Sequence, residues 1–344
     1  MRHIKFAFRT LWKSPFVTAI AILSLALGIG ANAAIFSLFD QILLQPLPVL
    51  EPSRLVNLSA PGPKPGSQSC GEAGDCEDVF SYPMFRDLEK MQNSPLSGLA
   101  AHVTFGVNLS YKDQPINGDG LLVSGSYFPT LGIRPAIGRL LTPDDDQNIG
   151  GHFVTVLGNS FWRSHLGSDP SVVGQVITIN GLSFTIVGVT PDEFAGTTLG
   201  VRPDVYVPLT MRAATSNSKG EFYTERRTYW AYLFGRLKPG VTIEQAKRAL
   251  NAAYSPIIND VEAPLQKGMS DATMAKFKKK ELSVEAGQRG QSSIHREAKT
   301  PLTLLFGITG IVLLIACANI ANLLLARGAN RGMEMGVRLA LGAS

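Results

Sequence analysis

Two long charge-free runs dominate the hydrophobic pattern of the chain, at residues 16–39 and 302–325. Wound as helices rising 1.5 Å per residue, each reaches about 36 Å, enough to cross a hydrocarbon core of about 30 Å with some tilt. Between them the pattern shortens and changes period. Pro46, Pro48 and Pro52 end the first helix, and 54–59 (RLVNLS) predicts a strand. After a loop rich in Pro, Gly and Ser, Ser81 caps a helix over 82–91 with Pro83 in its first turn. An apolar strand near 99–107 completes a β-α-β unit. A second unit lies near the far end: a strand at 229–237, a Lys238-Pro239-Gly240 turn, and a capping box of Thr242 with Gln245. The helix it opens carries Ile243, Ala246, Leu250 and Ala253 on one face, and 282–285 supplies the closing strand. Two separated β-α-β halves, about 53–108 and 226–290, pair into one ferredoxin-like sheet. From about 110 to 225 short β segments dominate. Residues 175–180 and 183–189 flank Asn180-Gly181, a strong hairpin signal, and short helical turns are expected at 126–131 and 159–166. This segment is expected to be an inserted β-rich subdomain.

Charge turns this pattern into a topology. Only 17% of the 344 residues are charged, against about a quarter in globular proteins. The two apolar runs account for the deficit. The first fifteen residues carry Arg2, Lys5, Arg9 and Lys13 without an acid, and 326–344 carries Arg327, Arg331 and Arg338 against Glu334. These flanks hold more than the whole net charge of +5, so the middle is close to neutral. A basic surface for nucleic acid is therefore not what the pI near 9.1 reflects. Basic residues just before the first run and just after the second put both termini in the cytoplasm by the positive-inside rule. The fold class that follows is a membrane protein: two transmembrane α-helices, in 16–44 and 302–325, flanking an α+β exported domain at about 45–300. A cleaved signal peptide, suggested by Ala31-Asn32-Ala33, is the competing reading, but the run is too long for an h-region and continues through Ile35, Phe36, Leu38 and Phe39.

Soluble chemistry is hard to find. Cys70 and Cys76 lie in a Gly- and acid-rich loop, close enough to form a small disulfide ring in an oxidising compartment or to stay as two thiols. A zinc site would need more ligands nearby. Cys317, inside the second run, reads as a small packing residue. No phosphate loop is present; the nearest stretch, GQRGQSS at 287–293, lacks the lysine. Gly158-Asn159-Ser160 begins a nucleophile elbow but ends in Trp162, leaving Ser160 to cap or pack a short helix. His3, His102, His152, His165 and His295 show no ligand spacing, and Asp144-Asp145-Asp146 reads as an acidic solvated turn rather than a calcium loop. No catalytic residue, metal or cofactor is assigned.

The apolar runs are more informative. Ser24, Gly28 and Asn32 recur every four residues, and so do Ala26, Gly30 and Ala34, giving two small-residue stripes that let helix backbones approach closely. Asn319 and Asn322 share one face of the second run, where amides can hydrogen-bond a partner helix. Beyond it, a helix from about Arg331 sets Met333, Val337, Ala340 and Leu341 on an apolar side, with Glu334 and Arg338 paired at i, i+4. Such a helix can lie on an anionic leaflet or dock a cytoplasmic subunit.

Five stretches carry a family resemblance: ALGIGANAAIFSLFDQILLQPLP at 26–48, VSGSYFPTLGIRPAIGRLLTPDD at 123–145, SDPSVVGQVITINGLSFTIVGVTPDEF at 168–194, GRLKPGVTIEQAK at 235–247 and ACANIANLLLARGANRGMEMGVRLALGAS at 316–344. Together they resemble the MacB/FtsX-type permeases of ABC transporters, especially the acidobacterial MacB-like type, over nearly the whole length. The resemblance implies a MacB-type periplasmic core domain, with a ferredoxin-like porter subdomain and a β-rich insertion, exported from a bacterial inner membrane. It implies no enzyme activity in this chain. The partners implied are a separate ABC ATPase subunit, a second permease copy forming a dimer, the lipid bilayer and a periplasmic adaptor or cargo; nucleic acid is not among them. The segment after the second run is similar to the family's E-[IM]-G-x-x-[RK]-A-L-G-A signature, with Leu339 before Ala340 as the one departure. In the family this stretch contacts the ATPase, which makes Arg331, Glu334, Met335, Arg338, Leu341 and Gly342 the expected docking residues. The implied mechanism is mechanotransmission: closure of the ATPase subunits moves the cytoplasmic helix, and the spans carry that motion to the exported domain. Family permease units have four spans, so 326–344 is expected to be the truncated start of a permease signature in a longer subunit. The alternative from a different class is a two-span receptor with an extracytoplasmic ligand-binding domain, for which nineteen cytoplasmic residues offer no output module.

Overall fold

The computed structural model of the protein describes residues 15–112 and 114–342, and of 17, 21, 296, 323, 324 and 326–340 it describes the backbone alone. The basic residues before Pro15 and the side chains of Arg331, Glu334, Met335 and Arg338 lie outside what is described. The chain divides into two units: the long helices with their flanks (1–44 and 295–344), and 45–294.

In chain order, the elements are α1 (Pro15–Leu43), β1 (Leu55–Ser59), β2 (Ser67–Gln68), β3 (Val79–Ser81), α2 (Tyr82–Glu89), β4 (Leu96–Tyr111), β5 (Gln114–Val123), α3 (Tyr127–Leu131) and β6 (Ile137–Gly138). There follow β7 (Val154–Leu157), α4 (Asn159–Leu166), β8 (Val176–Ile179), β9 (Leu182–Val189), β10 (Val205–Pro208), α5 (Arg212–Thr215) and β11 (Thr228–Leu237). The last are α6 (Ile243–Pro256), α7 (Asp271–Lys278), β12 (Ser283–Ala286) and α8 (Ser293–Ala340).

Among the described residues the strands form one twelve-stranded sheet with the path β12-β1-β11-β4-β5-β10-β7-β9-β6. At its first end each neighbouring pair is antiparallel, and the two β-α-β crossings, β1-α2-β4 and β11-α6-β12, interleave their strands. Ser81 starts α2 by accepting from the Met84 amide, and the Thr242–Gln245 capping box starts α6 with both of its bonds present. The helices bury Tyr82, Met84, Phe85 and Leu88, and Ala246, Leu250 and Tyr254. These side chains join Val56, Leu58, Trp230 and Leu233 in the larger core. Strand alternation sends Leu55 and Phe234 to the other face, where Tyr127, Phe128 and Leu131 of α3 cover them. That is why β11 is buried almost throughout: both of its faces are roofed.

Some expectations need correction. The strand near 99–107 runs from Leu96 to Tyr111 and pairs with β5 from His102↔Val123 to Tyr111↔Gln114, so one sheet continues into the β-rich segment. The solvated-turn reading of the acidic triplet holds for Asp144 alone. Pro143–Asp146 is a 3-10 turn that buries the other two carboxylates. Asp145 accepts both guanidinium bonds of Arg139, at 2.6 and 2.8 Å, and Asp146 accepts the amides of Gly125 and Thr210. The buried carboxylates stay because each has donors in place. Ser160 neither caps nor packs, since it is exposed while Asn159 beside it is buried and bonded to Thr190. Cys317 is exposed, and its neighbour Ala316 is the buried residue.

The second apolar run and the amphipathic segment after it form one continuous helix, α8, of 48 residues. Two stretches, Thr18–Leu43 and Ser293–Asn322, are long and apolar enough to cross a membrane by length and composition. Their large apolar side chains are left uncovered by protein, as at Leu27 (77% exposed) and Leu314 (70%).

Candidate functional site

The site begins with the Gly-rich stretch that fails as a phosphate loop. Residues 287–293 form the root from which α8 starts, and several polar groups there are hydrogen-bonded to the sheet and to the loops beside it. Gly287 donates its amide to Leu55 O, Asn57 donates its side-chain amide to Gly290 O at 2.7 Å, and Gln291 donates its backbone amide to Thr197 O. Ser293 donates its amide to Glu72 O. Glycine is required twice. A Cβ at Gly290, which sits at φ +80°, would lie 2.1 Å from Thr197 O, and one at Gly287 would lie 2.7 Å from Asn57 Oδ1.

The Gln291 side chain is 5% exposed and spans two strands. Its Nε2 donates to Leu233 O at 3.0 Å, and its Oε1 lies 2.8 Å from His102 Nε2. An amide oxygen can only accept, so His102 carries its proton on Nε2. Burial lowers the His102 pKa to about 4, so the imidazole is neutral at physiological pH. The segment following α1 is fixed at the same place: Leu47 donates its amide to Gln288 O, and Leu50 donates to Leu131 O. Leu47 and Val49 pack on the core under α3. Arg236 completes the support, donating through Nε to Thr130 O at 2.6 Å and through Nη2 to Leu131 O, the last carbonyls of α3. Both connections of the folded domain to the apolar helices are thus joined to each other and to the sheet centre. Sequence reasoning passed over this root. The signal was there in two glycines and two amide side chains placed a few residues before an apolar run.

A second assembly underlies the Cys loop. Cys70 and Cys76 form a disulfide with their Cα atoms 5.2 Å apart. Lys64, 8% exposed, donates through Nζ to Cys76 O, Glu77 O and Val79 O at 2.6 to 2.8 Å. Burial lowers its pKa to about 7, with neighbouring Lys280 adding to the effect and Asp78 and Glu77 opposing it. Three carbonyl acceptors match the three N–H bonds of the charged form, so geometry favours the ammonium. Tyr232 closes the loop from below: its hydroxyl donates to Gly74 O and accepts the Gly71 amide.

Of the two small-residue stripes, one is in use between α1 and α8. The Cβ position of Gly28 lies 3.1 Å from Leu313 Cδ1, and Asn32 donates to Thr309 O at 3.0 Å as well as to Gly28 O. The rings of Phe36 and Phe39 lie 6.4 and 6.2 Å from that of Phe306, tilted against it. Ser24 is half-buried on the same stripe, while Ala26, Gly30 and Ala34 face away and are exposed. Asn319 and Asn322 are exposed too, and so is Leu341 near the end of α8.

The model of the MacB-like periplasmic core domain matches residues 18–253. The pyoverdine export ATP-binding/permease protein PvdT of Pseudomonas syringae pv. syringae is 23% identical over 99% of this chain and 46% of its own length. The macrolide export ATP-binding/permease protein MacB 2 of Aeromonas hydrophila is 25% identical over 75% of this chain and 35% of its own length. The chain therefore spans about half the length, or less, of the curated relatives it matches, and it covers the permease part of such ATPase/permease fusions. Among solved structures, the periplasmic region of MacB from Actinobacillus actinomycetemcomitans aligns with a TM-score of 0.46 at 13% identity, over 74% of this chain and 94% of that one.

Proposed function

Because the chain belongs to the family of proteins with a MacB-like periplasmic core domain, we propose that it is the permease part of a MacB-type ABC exporter working by mechanotransmission. In this reading α1 and α8 cross the bacterial inner membrane with both ends in the cytoplasm. Residues 45–294 stand in the periplasm, as a ferredoxin-like porter half built from β12-β1-β11-β4 with α2 and α6 and a β-rich insertion. A separate ABC ATPase subunit hydrolyses ATP and docks on the end of α8 through Arg331, Glu334, Met335, Arg338, Leu341 and Gly342. Cargo or an adaptor is engaged on the periplasmic side.

The observation that carries the proposal is the root. A device that moves an exported domain from the cytoplasm needs an uninterrupted element and a firm attachment. Here α8 is one helix from Ser293 to Ala340, and the residues immediately before it are hydrogen-bonded within the folded domain: Gly287 to β1, and Gln291 to the loop before β10, to β4 and to β11. The lipid-like exposure of both helices supports the membrane assignment. Asn319, Asn322 and the Ala26-Gly30-Ala34 stripe are left for contacts with a second permease copy.

Co-purification with the cognate ABC ATPase tests the docking step. Glu334→Ala and Arg338→Ala should each lower the amount of ATPase recovered with the full chain while leaving its melting unchanged. Undiminished recovery in both variants sinks the assignment.

A further inference from the structure

A cleft of about 570 Å3 opens where the Pro61-Gly62-Pro63 turn faces the start of β12. Lys247 of α6, Lys276 of α7, and Lys279 and Lys280 beyond it line this cleft, and Glu281 is the one acid among the lining residues. The volume falls within the range of small-ligand sites, and nothing in the family assignment uses it.

Three features separate this cleft from an ordinary solvated lysine run. First, none of the four lysines makes a salt bridge among the described residues. Second, Lys280 is built into the wall. It is 6% exposed, its Nζ donates to Pro63 O at 3.1 Å, and the same nitrogen lies 5.4 Å from the centre of the Phe277 ring. Burial lowers its pKa to about 8, while Glu262 and Glu77 hold it up in part. Third, the turn opposite is fitted to the lysine stem: Gly62 has φ +107°, and a Cβ there would lie 3.3 Å from Lys280 Cγ. Ammonium groups gathered along one cleft repel one another, and that repulsion is relieved when an anion enters it.

We propose that this cleft binds a phosphate-bearing anion, with Lys280 as its fixed donor and Lys276, Lys279 and Lys247 closing over it. The phosphate can belong to a free small molecule or to a lipid headgroup, and the two sources are distinguishable. Inorganic pyrophosphate and a water-soluble short-chain phosphatidate are titrated calorimetrically into the full chain in a nonionic detergent. Pyrophosphate should bind saturably, more weakly as salt is raised. The affinity should fall by roughly tenfold or more in Lys276→Glu/Lys279→Glu, and less in Lys276→Ala/Lys279→Ala. Both positions are exposed, so the variants should melt as the wild type does. Phosphatidate binding no tighter than pyrophosphate assigns a free anion, and tighter binding assigns a headgroup; either upholds the site. The proposal is overturned if binding does not saturate. It is equally overturned if Lys219→Glu/Lys267→Glu, which alters two exposed lysines outside the cleft, weakens binding as much.

Discussion

Single residues decide much of how the domain at 45–294 holds together, and buried charge is the clearest case. Glu262 closes the π-helical turn Ile257–Glu262 that follows α6, is 2% exposed, and has Arg226 Nη1 3.8 Å from its Oε1. Burial raises its pKa from 4.5 to about 7, with Arg226 and then Lys280 pulling the other way. A raised carboxyl contributes stability that is complete below the unfolded value and is lost as pH rises through the folded one. The window here is therefore about pH 4.5 to 7. Glu262→Gln should flatten the wild type's loss of stability across that window, by about 3 kcal/mol at most, and melt at or above the wild type at pH 8. Parallel melting-versus-pH curves for the two proteins would count against it. Burial raises the Asp146 pKa as well, but the bonds this carboxylate accepts oppose that shift and hold it in place. Asp146→Ala strands the Gly125 and Thr210 amides and should cost about 2 to 3 kcal/mol in chemical denaturation. An unchanged midpoint would show that those amides find water. Neither burial was visible in the sequence, where the acidic triplet read as a solvated turn and Glu262 carried no signal. Burial depends on which element passes overhead.

Whole elements were far more legible. Ser81, the Thr242–Gln245 box and Asn180-Gly181 each act within a few residues of themselves, so their helices and hairpin can be read from local chemistry. Asn180 and Gly181 adopt φ of +48° and +81°, as the turn between β8 and β9 requires. Lengths were less legible, because β4 outruns its apolar stretch by pairing with β5 into polar sequence. The two-stripe reading of α1 was half resolved by its neighbour. Gly28 and Asn32 meet α8, and periodicity alone could not choose between the stripes. The contact is testable. In a Cys317→Ala background, Gly28→Cys with Leu313→Cys should cross-link efficiently under mild oxidation, whereas Gly30→Cys with Leu313→Cys should not. Equal yields would contradict the orientation of α1. The root of α8 could not be read locally, since the partners of Gly287, Gly290 and Gln291 come from β1, β4, β11 and the loop before β10. To the sequence it was a phosphate loop without its lysine.

At the scale of the whole molecule, apolar runs, flanking charge and five ordered family stretches carried the assignment, because a membrane span needs only length and composition. What they could not supply is how 45–50 and 287–293 are held within the folded domain, and the proposed mechanism rests on that. The root makes a specific claim: motion delivered to α8 is felt at 45–50 and 287–293. Gln291→Leu, which removes the bonds to His102 and Leu233 but keeps a similar volume, should leave ATP hydrolysis by the assembled complex intact and reduce export. The central claim is tested most directly by amide hydrogen exchange on the full chain assembled with its ABC ATPase, with and without a non-hydrolysable ATP analogue. The account predicts that nucleotide changes exchange at the amides of Leu47, Gly287, Gln291 and Ser293, and that Gln291→Leu abolishes the change. Exchange at those amides that is the same with and without nucleotide, in a complex where the ATPase is bound, would contradict it.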